Sequence, residues 1–305
     1  MPVSPFRRVV IWGHPLHTNT FSYVYEAFAR AFRHLGWEVW WLPDQPMYPP
    51  LDLDGSLVIV EGQVDRYLPR HAGATYVLHN CNWATYADVR RRCLAIQVHT
   101  DAQMEGRIGR MTEIAPFVHH EPSADSFGML YQPWATDLLP GEINIEDAGV
   151  PRDRKTWWVG TIGEGQFGNV WQIEGFRRAC QERGVEFVHH PAGIDREAAR
   201  PLIRRSYIAP AIVGKWQLEV GYIPCRIFKN ISYGQLGVTN SPTVQRLFGG
   251  TLVQDVDTHA LFLKAEEAAR LPSGIERTRA LMEEVRSKHT YVNRIAAILR
   301  CLGVP

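Results

Sequence analysis

The sequence predicts an α/β protein made of two doubly wound parallel-sheet domains, each with helices on both faces of its sheet. Three observations predict it. Short apolar runs alternate with segments of helical periodicity from residue 8 to about residue 100. The alternation pauses over residues 101–150, which end in the polar, Pro- and Gly-containing stretch LLPGEINIEDAGVPRDRK. It then restarts on TWWVGTIGEGQFGN (residues 156–169), a strand-like run followed by a glycine-rich turn and a helix start. A chain of 305 residues has room for about two such domains.

Taken in order, RVVIW (residues 8–12) is the first strand. In TFSYVYEAFARAFRHLG the residues Phe21, Val24, Phe28, Ala31, Phe32 and Leu35 recur near helical spacing, and Gly36 is a natural stop. WEVWWL, SLVIVEG, ATYVLHN and CLAIQVHT are further strand-like runs, separated by helical or loop segments such as ATYADVRRR. IAPFVHH and GMLYQPW are short runs inside the pause, and the polar stretch after them reads as an interdomain connection. Beyond it KTWWVGTI is a strand, and NVWQIEGFRRACQERG is a helix with Asn169 as N-cap and Gly184 as stop. VEFVHH reads as a strand, DREAARPLIRRS as a helix interrupted at Pro201, and YIAPAIV as another apolar run. CRIFKNISYGQ reads as a helix, LGVTN as a short strand, SPTVQRLFG as a helix with proline in its first turn, and GTLVQDV as a strand. From Thr258 onward the pattern is helical. Sheets of this kind bind ligands at the carboxyl ends of their strands, so the expected site is a cleft faced by both domains.

Composition narrows the function classes. The chain is 45% hydrophobic and 21% charged, ordinary for a globular protein with a real core. A net charge of +1 implies no strong non-specific attraction to nucleic acid. The local clusters Arg90–Arg91–Arg92 and Arg204–Arg205 read as solvated helix faces. Five cysteines, an odd number without a C-x-x-C, argue against a disulfide framework or a thiolate zinc site. The apolar run near the start is only Val9 to Trp12, and no segment approaches the roughly 20 apolar residues of a membrane span. A cytoplasmic protein is expected.

Gly163, Gly165 and Gly168 have G-x-G-x-x-G spacing between a strand and a helix start, where backbone N–H groups and the helix dipole favour phosphate. A dinucleotide site also needs an acid at the end of the next strand. That strand, VEFVHH, ends in His189 and His190, with Glu186 inside it, so the fingerprint is half met. The D-x-D pairs Asp52–Asp54 and Asp255–Asp257 read as turn chemistry. His14 and His17, in the loop after the first strand, and His79 and His99, at later strand ends, all sit where the cleft is expected. They do not form a convincing zinc set, so no metal and no cofactor are expected. Neither G-x-S-x-G nor a Walker loop occurs.

GYIPCRIFKNISYGQLGVTNSP (residues 221–242) carries a resemblance. Arg226-Ile-Phe-Lys229-Asn230 opens a helix, Tyr233-Gly234 closes it, and Val238-Thr239-Asn240-Ser241 follows. This resembles the donor-site motif of GT-B-fold glycosyltransferases, most closely the group 1-like relatives that include spore-coat-type glycosyltransferases. HTYVNRIAAIL resembles that family's carboxyl-terminal His-x-Tyr-x-x-Arg helix, YQPWATD its interdomain crossover, and WWVGTIG the first strand and loop of its donor domain. The resemblance spans about residues 130–300 and is architectural before that. In one respect the chain departs from it: the related large group carries two glutamates eight positions apart, and Gly221 and Lys229 stand in their places.

The resemblance implies two Rossmann-like domains in the GT-B arrangement: residues 1–134 for the acceptor, and residues 135–305 for a nucleotide-diphosphate sugar, UDP- or GDP-linked. The last helix, about 288–301, returns to the first domain. Gly160, Thr161 and Gly163 let backbone approach the phosphates. Arg226 and Lys229, three apart on the first turn of a helix, neutralise the leaving diphosphate in place of a metal. Asn230, Tyr233 and Thr239 are further donor contacts. His14, His17 and His79 are candidates for acceptor activation or for contact with the transferred sugar. Retention of configuration is slightly favoured, and the acceptor is open among glycan, lipid, protein and modified nucleic acid. The alternatives are an NAD(P)-dependent oxidoreductase using the glycine turn, or a non-catalytic nucleotide-sugar or nucleic-acid binding protein.

Overall fold

The computed structural model describes residues 5–16, 18–191 and 193–304. Its main sheet grows from β1 (Arg8–Gly13), which is buried along its whole length, as a strand covered on both faces must be. Helix α1 (Thr20–His34) follows, capped at its start by the Asn19 side chain, which accepts from Ser22 N–H, and stopped at Gly36 with φ +85°. Its buried stripe includes Val24, Phe28, Ala31 and Phe32. Strands β2 (Val39–Pro43), β3 (Ser56–Glu61), β4 (Thr75–His79) and β5 (Cys93–Gln97) come next, with a 3₁₀ segment at Trp83–Arg92 between the last two. Val10, Trp12, Val58, Val60, Tyr76 and Leu78 share one face of this sheet with Tyr86 and Val89 of the 3₁₀ segment.

Helix α2 (Ala102–Ile108) leads to β6 (Thr112–Ala115), β7 (Val118–Glu121) and β8 (Gly128–Tyr131). The sheet order is β2-β1-β3-β4-β5-β8-β7-β6. The first six of these are parallel; β7 runs antiparallel to β8, and β6, antiparallel to β7, runs with the first six again. The single run IAPFVHH is thus a hairpin: Pro116 cannot donate to a ladder, and Phe117 turns with φ +61°.

In the second half, β9 (Lys155–Val159) pairs in parallel with β10 (Glu186–His190), and α3 (Val170–Glu182) joins them. Helix α4 (Arg196–Arg205) runs through Pro201 rather than breaking there. Proline removes one helical bond, while the arginines at positions 200 and 204 tie the helix to the 140–149 segment through Asp147. Arg204 is therefore an ion-paired side chain, not a solvated one. Short α5 (Lys215–Glu219) and α6 (Cys225–Ser232) precede β11 (Val238–Thr239), α7 (Pro242–Leu247) and β12 (Val253–Gln254). The run YIAPAIV lies between β9 and β11, bonding Tyr207 N–H to Lys155 and Ala211 N–H to Val238, but Pro210 keeps it from completing a strand. Helices α8 (Thr258–Arg270), α9 (Ser273–Lys288) and α10 (Tyr291–Cys301) complete the chain described. Trp158, Phe176, Ile208, Val238 and Phe262 are in one core cluster.

Two compact units result. One takes in the chain up to Val98, Gly106–Pro133 and the segment from Tyr291; the other takes in His99–Glu105 and Trp134–Thr290. His99–Glu105 joins the second unit because Thr100 bonds Val220 and Gly221 and Glu105 pairs with Arg246. In the first unit, α10 packs on α1, with the Tyr291 ring 4.6 Å from Phe28. No described helix is long and apolar enough to cross a membrane.

Candidate functional site

In the second unit, β9 ends at Val159 and the chain turns at Gly160 with φ +120°. Gly160 N–H donates to the His190 carbonyl and its own carbonyl accepts from His189 Nε2. Thr161 is exposed. Gly163 N–H donates to Asn169 Oδ1, and the Gly163 carbonyl accepts from the N–H groups of Asn169 and Val170. Asn169 therefore stands at the N-cap position of α3 but uses its side chain on the loop instead of the helix. The glycine spacing serves the loop's own closure: a Cβ on Gly168 would lie 2.2 Å from the Gly163 oxygen. Glu186 starts β10 and pairs with Lys155, at the far end of the strand from this loop.

Helix α6 brings Arg226 to the end of β9. Its Nη1 donates to the Val159 carbonyl at 2.8 Å, and its guanidinium lies 4.0 Å over the Trp158 ring. A Cβ on Gly160 would come within 2.8 Å of Arg226 Nη2, so only glycine leaves the guanidinium its place. Burial pushes the Arg226 pKa down to about 10, and no carboxylate among the described residues pairs with it. One turn on, Lys229 Nζ faces Asp137 Oδ2 at 3.4 Å. Burial disfavours the charge on Lys229, but Asp137 and Cys225 outweigh it and raise its pKa. Tyr233, fully buried at the C-cap of α6, donates its hydroxyl to both Asp137 oxygens at 2.8 Å. Burial and then Asp137 raise its pKa well above the ordinary value.

Asn230 and Thr239 face inward. Asn230 Nδ2 donates to the Ala209 and Pro210 carbonyls, and Thr239 Oγ1 donates to the Ala211 carbonyl while accepting Ser241 N–H. Both hold the 209–213 ribbon in place.

In the first unit, His14 follows β1, Glu61 ends β3 and His79 ends β4, with Glu61 and His79 in register. The Phe21 ring lies 6.0 Å from His14 and 5.2 Å from His79. The proton on His14 can be placed. Asn19 Oδ1 is engaged by Ser22 N–H as the α1 cap, so Asn19 Nδ2 is the atom facing His14 Nδ1 at 3.0 Å. An amide nitrogen only donates, so Nδ1 accepts and the ring proton sits on Nε2, which donates to Glu61 Oε2 at 3.2 Å. Glu61 Oε2 also accepts Gln63 N–H, whereas the buried Oε1 has no partner among the described residues. Tyr25, whose hydroxyl is likewise buried and without a partner among the described residues, has its pKa raised by burial and then by Glu61. His17 lies outside the described residues. Sequence reasoning missed Glu61 and Asp137. The signal for Glu61 was a lone charge ending the apolar run SLVIVEG.

Asp52 and Asp255 each accept the N–H two residues on, as turn residues do. Among the described residues no three His, Cys, Asp or Glu side chains converge to hold a metal.

No family model matches the chain, and no curated protein sequence matches it. Among solved structures it is similar to an α-glucosyltransferase in complex with UDP and a 13-mer DNA containing a HMU base, at 11% identity and TM-score 0.51 over 96% of this chain and 99% of that one. It is similar also to an α-glucosyltransferase with UDP-glucose and DNA containing an abasic site, at 12% identity and TM-score 0.51 over 93% and 95%. A third is an α-glucosyltransferase with UDP and a 13-mer DNA containing a central A:G mismatch, at 11% identity and TM-score 0.53 over 94% and 96%. At such identities the likeness shows the fold, which is α/β of the GT-B glycosyltransferase kind.

Proposed function

We propose that this chain is a glycosyltransferase moving a sugar from a nucleotide-diphosphate sugar to a hydroxyl-bearing acceptor, with UDP as the nucleotide of first choice. Arg226 carries the reading. A partly buried guanidinium with no acidic partner among the described residues is costly unless an anion completes it. It sits at the carboxyl end of β9 beside a glycine that no side chain could replace without displacing it. The fold shared with UDP- and UDP-glucose-bound α-glucosyltransferases supports the same ligand class, and the resemblance to group 1-like and spore-coat-type glycosyltransferases, carried by residues 130–300 of the sequence, agrees with it.

Arg226 and Lys229 stabilise the charge that develops on the leaving diphosphate, the work a metal does elsewhere. Gly160 and Gly163 contribute shape, since their N–H groups already have partners. In the first unit the buried Glu61 Oε1 accepts a substrate hydroxyl, and His14 orients that carboxylate. With Nδ1 accepting from Asn19 and Nε2 donating to Glu61, both ring nitrogens of His14 are engaged, which favours this orienting role over that of a general base. His79, and His17 from its place in the sequence, contribute further polar contacts. The acceptor proton then passes to an oxygen of the departing diphosphate as the new C–O bond forms and the old one breaks, a course consistent with retention.

The test is titration of UDP, GDP and NAD into the full chain and into Arg226→Ala, followed by a turnover screen over UDP- and GDP-sugars. The acceptor panel includes glycans, lipid-linked sugars, protein hydroxyls and DNA with a hydroxymethylated base, and one arm contains EDTA. The variant should lose at least tenfold in UDP affinity, and turnover should survive the chelator. Binding of NAD alone, or UDP affinity indifferent to Arg226→Ala, would sink the reading.

A further inference from the structure

Two of the contacts of Asp137 differ in kind. Tyr233 is rigid and fully buried, and its hydroxyl bonds both carboxylate oxygens at 2.8 Å. Turning away would leave a buried oxygen unpaired, so this contact is permanent. Lys229 reaches the same carboxylate along a flexible four-carbon stem, at 3.4 Å, a long contact in which charge outweighs hydrogen bonding, and keeps 20% of its side chain exposed. The carboxylate is therefore anchored on tyrosine, and the lysine is tethered chiefly by charge. Lys229 also lies one helical turn from Arg226, on the side of α6 that reaches the end of β9.

We propose that Asp137 is a positioning residue that holds Lys229 in reserve: it is the lysine's counter-ion until a diphosphate arrives and takes the lysine from it. This rests on the reading of Arg226 as part of a donor site. Only an ion pair is exchanged. When Lys229 leaves, Asp137 keeps the Tyr233 hydroxyl, so no bare buried carboxylate is created and the exchange is inexpensive. Affinity for the diphosphate is then the difference between two competing pairings. The site responds to a doubly phosphorylated ligand more than to a weaker monoanion that cannot outcompete the carboxylate.

The experiment is calorimetric titration of UDP and of inorganic pyrophosphate into the full chain and into Asp137→Asn, Lys229→Ala, the double variant and Tyr233→Phe. Asparagine keeps the size of aspartate and still accepts the Tyr233 hydroxyl. If the pairing leaves roughly a tenth of the lysines available, Asp137→Asn binds both probes about tenfold more tightly. The gain should vanish in the Lys229→Ala background, a coupling that a merely structural Asp137 would not produce. Tyr233→Phe should act in the opposite direction, because a carboxylate that has lost its hydroxyl holds the lysine harder. Equal or weaker binding by Asp137→Asn overturns the proposal, as does a gain that persists without Lys229. If Asp137→Asn does not fold, equal or tighter binding by Tyr233→Phe overturns it. Failure of the donor-site reading looks different: neither probe binds the wild-type chain, and the proposal falls with it.

Discussion

Gly160→Ala tests the geometry at the end of β9 most directly. The substitution meets two obstacles. Gly160 has φ +120°, a conformation that alanine adopts only under strain of about 1–3 kcal/mol. The new Cβ would also stand 2.8 Å from Arg226 Nη2. The guanidinium cannot simply step aside, because Nη1 is bonded to the Val159 carbonyl and its plane lies on Trp158. Moving it forfeits both contacts. The melting temperature should fall by about 2–4 °C for each kcal/mol. A charge-assisted hydrogen bond to a phosphate is worth about 1.5–3 kcal/mol, so UDP binding should weaken about 10- to 100-fold. Thermal melts and calorimetric titration with UDP read the two effects. Adding Arg226→Ala separates them: the clash disappears and the melt recovers in part, while binding stays lost. A Gly160→Ala chain that melts like wild type and binds UDP as tightly would refute the reasoning.

Two further outcomes follow from particular contacts. Asn19→Ala removes the α1 cap and should destabilise the chain by about 1 kcal/mol, whereas Asn19→Ser keeps a capping oxygen, restores most of that loss and frees His14 Nδ1. Denaturant melts check the first effect and the NMR-observed tautomer of the His14 ring the second, and equal stability of the two variants would contradict the cap. His99 has its pKa lowered from 6.5 by burial, with Asp101 opposing. Its folded form therefore binds its proton less readily than its unfolded form, so its contribution is fully present above about pH 6.5 and is lost as pH falls through the lowered folded value. The acid limb of a stability-versus-pH curve should be shallower in His99→Gln, and an unchanged limb would contradict the assignment.

Much of the first unit was legible because its central strands are largely apolar: β1 could be buried only in the middle of a sheet. The hairpin of β6 and β7 was not, since an apolar run interrupted by Pro-Phe does not say whether the chain turns back. The ribbon around Pro210 reads as a strand by composition but lacks the donor a ladder needs. At the site, Arg226 and Lys229 were visible as cations on one side of a helix start, but their surroundings were not. Asp137 meets Lys229 only through tertiary folding, and no local pattern announces it. Asn230 stood beside them in the motif, yet one residue further round a helix points elsewhere, and its amide went to the backbone.

The chain leaves the first unit after Pro133 and re-enters it at Tyr291. Arg294, buried on α10, donates from Nε to the Pro133 carbonyl at 2.7 Å, tying the two junctions together. On the ribosome the usual order is therefore reversed. Domains ordinarily fold as they emerge, beginning with the amino-terminal one. Here the second unit has all its residues once Thr290 is out, while the first waits, its α1 face uncovered, for the segment that follows. Nor can a single cut release either unit intact: cleavage near residue 133 or 290 separates α10 from the rest of its own core.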